Sequence, residues 1–311
     1  MYVTSPQRRR ASNPRPSNAI DAARLRSVQT AVLLVETKSM AHSGSAAFTN
    51  LDDYQTTIGL VGMSVSLVLP ADADFSARLT WLKQRHLHLL CGRESVPRIA
   101  CLSFVPTRAF VSFPMSANKT IITGGVELRL GDIMFHSRGE RTHQWTKGVS
   151  RWGIVSLPHS QLAAYAKALT GREITAPPVA RIFRPLPSVG AHLRCLHLRA
   201  CRLAETKPEL LAHREVVRAI EQDLIHALVN CLTADDDTLE IGQYQADVVL
   251  RLEDALTEYA GQRPSIPELC ATLGVTKRTL RMYCTNVLGV SPSHYMHLRR
   301  LHVARAAAMG C

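Results

Sequence analysis

The stretch PELCATLGVTKRTLRMYC, residues 267–284, reads as a helix, a glycine, and a helix again. Proline is at home in a first helical turn, where its missing N–H is not needed. Glycine inside a helix costs about 1 kcal/mol relative to alanine. Gly274 is therefore expected to end the first helix as a left-handed C-terminal cap. Thr276 can cap the second helix through its hydroxyl, which should run from residue 277 to about residue 287. Two helices about a glycine-centred turn make a helix-turn-helix. Leu269, Cys270, Leu273, Val275, Leu280, Cys284 and Val287 are expected to pack the two helices together. Lys277, Arg278, Arg281 and Met282 then fall near the outer face of the second. A plainer reading of the same residues is a helical hairpin with a solvated basic face.

In a DNA-binding helix-turn-helix, the N-terminal part of the second helix enters the major groove. Arg278 and Arg281, three residues apart, share a helix face. Each can set its guanidinium fork on O6 and N7 of guanine. Thr276, Lys277 and Thr279 suit phosphate contacts. The formal net charge of +12 and a pI near 9.7 favour a polyanionic partner, nucleic acid or an anionic membrane surface.

The segment that follows, LGVSPSHYMHLRRLHVAR (residues 288–305), carries a more specific pattern. Together with GVTKRTLRMY (274–283) it resembles the first half of the DNA-binding domain of the AraC/XylS family of bacterial transcription regulators. Residues 289–292 would end one helix and begin a long linker helix bearing Arg300-Leu301 and Ala304-Arg305. ELRLGDIMFHSRGERTHQWTKG (127–148) is similar to the β-bend of the cupin-like sensor domain that such regulators often carry. The resemblance implies a sequence-specific regulator that binds double-stranded DNA, forms a homodimer, takes a small-molecule effector, and is not an enzyme. In the family, two helix-turn-helix units flank the linker helix, whereas this sequence ends at Met309-Gly310-Cys311 after the linker. The expectation is weakened DNA binding, with Tyr295, Leu298, Leu301 and Val303 left partly uncovered. The alternative is a truncated dimerisation partner that modulates an intact relative without useful DNA binding of its own.

The rest of the chain is consistent with an α+β protein. Residues 1–27 are Arg- and Pro-rich without periodicity, and should form a disordered basic arm or an extension of no consequence. Residues 45–186 are expected to be a β-rich, cupin-like sandwich or barrel. Short strands recur there, and Gly124-Gly125 would turn a hairpin between residues 120–123 and 126–130. Inside that region RHLHLL (85–90) reads as helix. His159 opens a helix whose apolar face would be Leu162, Tyr165 and Leu169, stopped by Gly171. Residues 187–234 should be a helical dimerisation segment with helices at about 190–205 and 208–232. Val217, Ile220, Leu224, Leu228 and Leu232 form an apolar stripe on the second, either core or dimer seam. DDDTLE (235–240) reads as an exposed acidic connector, and residues 245–311 as the partial DNA-binding domain.

Other chemistry is thin. His136, Glu140 and His143 lie in the bend, but a metal cupin needs ligands converging from two strand motifs, and His143 is off that spacing. No metal and no cofactor is expected. The eight cysteines show no CxxC pair and read as ordinary reduced thiols. Trp145 and Trp152 are either pocket-lining or core. There is no glycine-rich phosphate loop and no apolar run near the ~20 residues of a membrane span, so a cytoplasmic protein is expected.

Overall fold

The computed structural model describes residues 42–117, 120–233, 238–240, 242–259 and 262–309, with side chains to residue 305. All lie in the unit Met40–Cys311. The expected arm at 1–27 falls outside them, as do Asp235, Asp236 and Asp237 of the acidic connector.

Mixed helix and sheet is what the chain forms. The larger sheet contains β1 (Ser43–Phe48), β3 (Ala77–Lys83), β4 (His88–Glu94), β11 (Ser150–Pro158), β6 (Arg108–Pro114), β9 (Ile133–Phe135), β12 (Arg181–Phe183) and β13 (Thr238–Glu240), in that order. The smaller contains β2 (Met63–Val68), β5 (Arg98–Phe104), β10 (Arg141–Thr146), β7 (Ile121–Thr123) and β8 (Val126–Leu128). Every strand pair among the described residues is antiparallel. Gly124 and Gly125 both take positive φ, 58° and 88°, and turn β7 into β8 as a two-residue hairpin must.

Side-chain alternation assigns each strand residue to one of two cores. Leu79, Leu90, Phe110 and Ile154 of the large sheet meet Leu67, Ala100, Leu102 and Phe104 of the small sheet. Helix α1 (Leu51–Gly59) closes this space with Tyr54 and Ile58. The outer face of the large sheet carries Leu82, Leu89, Val111, Val155 and Leu157. It is covered by α2 (His159–Thr170), α3 (Pro187–Thr206) and α4 (Arg214–Thr233). The third core belongs to α5 (Gln243–Glu258), α6 (Ile266–Leu273), α7 (Lys277–Leu288) and α8 (Pro292–Met309), joined by Val68 and Ile99 of the small sheet.

Four expectations are corrected. RHLHLL is not helical: the chain turns through residues 84–87, where the Leu87 carbonyl accepts from Gln84 N–H, and β4 begins at His88. Leu89 and Leu90 go to opposite cores because both faces of the large sheet are covered. An unbroken apolar pair is the natural pattern for such a strand and imitates helix. In α2 the inward residues are Leu162 and Ala166, with Tyr165 half-buried, whereas Leu169 is 46% exposed. The helix expected over 208–232 is two elements. A 3-10 turn spans Pro208–Ala212, and α4 starts afresh at Arg214. The connector does not stay exposed coil to its end, because Thr238–Glu240 pairs with β12. The apolar stripe resolves as well: Leu224, Leu228 and Leu232 are buried in the outer core, with Ile220 packed against it. Leu224, Leu228 and Leu232 are taken up by packing against α2 and α3 of the same chain, whereas Val217, at the start of the stripe, stays half-exposed.

Candidate nucleic-acid interface

Helix α6 opens with a capping box. The Ser265 hydroxyl accepts from Glu268 N–H, and the Glu268 carboxylate accepts from Ser265 N–H at 2.7 Å. It ends at Gly274, φ 67°, where the left-handed conformation lets the chain reverse within three residues. Thr276 caps α7, its hydroxyl accepting from Thr279 N–H at 3.1 Å. Leu269, Leu273, Leu280, Cys284 and Val287 are buried between the helices, and Cys270 and Val275 half-buried beside them.

That packing decides what α7 shows to solvent. Lys277, Arg278, Arg281 and Met282 are exposed, Met282 to 49%. Among the described residues no carboxylate pairs with Lys277, Arg278 or Arg281. Thr276 and Thr279 differ from that group. Their hydroxyls lie 2.8 Å apart and serve the cap, and Thr279 is only half-exposed. On α7 the free cationic surface is therefore its N-terminal half.

The other end of α7 is anchored to the small sheet. The Trp145 indole N–H of β10 donates to the Asn286 carbonyl at 3.3 Å. Gly289, φ 73°, ends α7 against the same ring, and a Cβ there would lie 2.7 Å from Trp145 atoms. Gly125 of the β7–β8 turn approaches Val287 and Asn286. Arg141 of β10 grips Asp254 of α5 through both guanidinium nitrogens, at 2.9 and 3.1 Å. Buried His143 lies edge-on to Tyr295 of α8, whose hydroxyl donates to Glu253. Glu253 also accepts from Arg299 Nε at 2.8 Å. Thus Tyr295 and Leu298 are covered by the chain itself, while Val303 is 58% exposed. Trp145 belongs to this seam rather than to a pocket. Trp145→Ala is expected to remove about 2–4 kcal/mol and to speed amide exchange in α7 and α8 more than in β3, β4 and β11. Uniform loss of protection would contradict the seam.

Between the sheets lies a cavity with about 20 Å³ of space for water centres, enough for a water molecule or two. Trp152, Glu94, Arg98, Gln144, Ser112 and His136 are its polar lining. Glu94 is fully sequestered and accepts four bonds: from Arg98 Nε and Ser150 Oγ at 2.6 Å, Tyr54 OH at 2.9 Å and Trp152 Nε1 at 3.1 Å. Burial pushes its carboxyl up, but the Arg98 charge and these donors outweigh it and hold the pKa below the ordinary 4.5. Arg98 Nη2 donates to Gln144 Oε1 at 2.6 Å, whereas Nη1 finds no partner.

Of the three bend residues, His136 and Glu140 pair, and His143 does not join them. His136 lies between Ser112 Oγ at 2.8 Å and Glu140 at 3.1 Å. His143, facing Tyr295, is apart from them. A different group does converge: Cys91 of β4 with His197 and Cys201 of α3, all buried. Of this only the helical i, i+4 spacing of His197 and Cys201 is visible in sequence, and Cys91 is more than a hundred residues away.

No family model matches the chain, and no curated protein matches it. Among solved structures it is similar to the AraC-like transcriptional activator CuxR. The two share 16% identity over 86% of this chain and 96% of that one, with a TM-score of 0.43. An apo variant of ToxT from Vibrio cholerae is 6% identical over 80% of this chain and 82% of its own, with a TM-score of 0.28. Both are loose likenesses.

Proposed function

We propose that the chain is a DNA-binding transcription regulator that reads sequence with the N-terminal half of α7. The observation that carries this is the unpaired cationic face of Lys277, Arg278 and Arg281 on a helix whose opposite face and far end are held by packing. A rigid mount matters because a bidentate arginine contact needs its fork held in register with a base edge. Arg278 and Arg281 are the base-reading pair, Met282 extends the same face, and Lys277 supplies phosphate contact. Thr276 and Thr279 lie nearest the backbone through the capped helix end. The remaining two-sheet part is the sensor. Its effector would enter the cavity at Arg98 Nη1, which is water-sized as it stands and would have to widen. Homodimerisation through residues 187–234 would have to use faces other than Leu224, Leu228 and Leu232 of α4, which are already buried.

The test is fluorescence anisotropy of the full chain across a salt series. DNA from the flanks of its own gene is compared with scrambled DNA. The wild type should prefer one fragment, and Arg278→Ala with Arg281→Ala should lower affinity for it at least about thirtyfold, at ~1–3 kcal/mol per base contact. Equal binding to both probes, unchanged in the double variant and abolished by modest salt, would mean that charge alone is at work.

A further inference from the structure

We propose that Cys91, His197 and Cys201 form a site for one thiophilic metal ion, zinc(II), which pins α3 to the outer face of the large sheet. The site lies on the opposite face of that sheet from the internal cavity, and it does not depend on the DNA reading.

Two sequence periodicities build it. His197 and Cys201 are four apart on α3 and share a face. On β4, Leu90 points to the inter-sheet core, so its neighbour Cys91 points outward, to α3. The three ligand atoms lie within 4.8 Å of one another, and all three residues are buried. Cys201 Sγ and His197 Nδ1 are 3.8 Å apart. Zn–S of about 2.3 Å and Zn–N of about 2.0–2.1 Å at a tetrahedral angle place such a pair about 3.6 Å apart. The pair is therefore already near its bound separation.

The histidine is also oriented as a metal ligand. Its Nε2 lies 3.3 Å from the Ile154 carbonyl, which can only accept, a contact that favours the tautomer with the proton on Nε2. That leaves the Nδ1 lone pair turned toward Cys201. A backbone carbonyl that fixes the tautomer in this way is the usual outer partner of a ligating imidazole. Gly153, paired with Cys91 across β4 and β11, makes room for the ring, since a Cβ there would lie 3.1 Å from His197 Cε1. Two thiolates and a neutral imidazole balance the charge of a divalent ion, and this soft donor set favours zinc over magnesium or calcium. One turn further along α3, Glu205 accepts from Thr80 Oγ1, and Thr80 is the cross-strand neighbour of Cys91. The fourth position would fall to water or to this carboxylate, with the Arg151 guanidinium also beside the Cys91 thiol.

The experiment uses the reduced full chain stripped of metal and titrated with Zn²⁺ against a chromophoric chelator, then with Co²⁺. One equivalent should bind. The cobalt form should show thiolate charge-transfer absorption with tetrahedral ligand-field bands, and zinc should raise the thermal midpoint. Cys91→Ser and Cys201→Ser should each lose the bound equivalent, whereas Cys195→Ser, at an exposed position, should keep it. Should the serine variants fail to fold, zinc-edge absorption fine structure of the wild type decides. Two sulfurs and an imidazole nitrogen support the site, and an all-oxygen shell overturns it. So would the absence of stoichiometric binding, retention of metal in both serine variants, or a Cys91–Cys201 disulfide whose reduction restores no metal uptake.

Discussion

Replacing Glu94 with leucine is expected to cost about 3–5 kcal/mol, the range found when one partner of a buried ion pair is removed. The loss does not come from one contact. Glu94 is the shared acceptor of Arg98, Ser150, Tyr54 and Trp152, and all four donors are enclosed by β4, β5, β11 and α1. Leucine leaves the Arg98 guanidinium buried without its counter-charge and with Nη1 still unpartnered. A charge in that position is far costlier than an unsatisfied hydroxyl. The second half of the prediction separates the ion pair from the rest. Adding Arg98→Met to Glu94→Leu should recover a good part of the loss, because a buried pair exchanged for apolar residues is often near neutral. Denaturant midpoints of the two single variants and the double variant check this. A double variant as unstable as the sum of the singles would show that the charges are not coupled.

Local signals were the readable ones. The first-turn Pro267, Gly274, Thr276 and the Gly124-Gly125 turn each act within four residues, so α6, α7 and the β7–β8 hairpin could be anticipated from sequence. Apolar periodicity also placed Leu269, Leu273, Leu280, Cys284 and Val287 inside. What failed was wherever a residue's meaning is set by a distant partner. His88 and Leu89 look helical until both faces of the large sheet are known to be covered. The α4 stripe stays ambiguous until α2 and α3 are seen to bury Leu224, Leu228 and Leu232. Trp145 has no local reason to be anything but a strand aromatic, and its partners in the docking of α7, Asn286 and Gly289, lie far along the chain. The cluster of Cys91 with His197 and Cys201 arises from strand and helix being brought together, which no spacing rule reports.

The metal-free protein is also expected to lose stability steeply between pH 6.5 and about 4. Three histidines are held neutral. Burial is the main cause for each, lowering His143 and His197 from 6.5 to about 4 and His88 to about 3. Around His143, Glu253 and Asp254 oppose the shift and Arg141 reinforces it. At His197 the Ile154 and Leu90 carbonyls oppose it and Arg151 reinforces it, and at His88 Arg108 and Lys83 reinforce it. Neither ring nitrogen of His143 has a hydrogen-bond partner, so nothing there welcomes a second proton. The sign follows from proton binding. In this window the unfolded chain takes up protons at these rings and the folded chain does not, so stability is full above pH 6.5 and falls as pH drops. Each such histidine contributes a slope of about 1.4 kcal/mol per pH unit. By pH 5 the three together remove roughly 6 kcal/mol, against a usual total of about 5–15 kcal/mol. Glu94 acts elsewhere: its pKa is held below 4.5, so its contribution fades only below that pH. Urea midpoints at pH 7, 6 and 5 should fall progressively, and His143→Gln should flatten the slope by about one third. A stability that is level from pH 7 to pH 5 would mean that these rings accept protons in the folded chain, and that the His143 seam against Tyr295 is open to water.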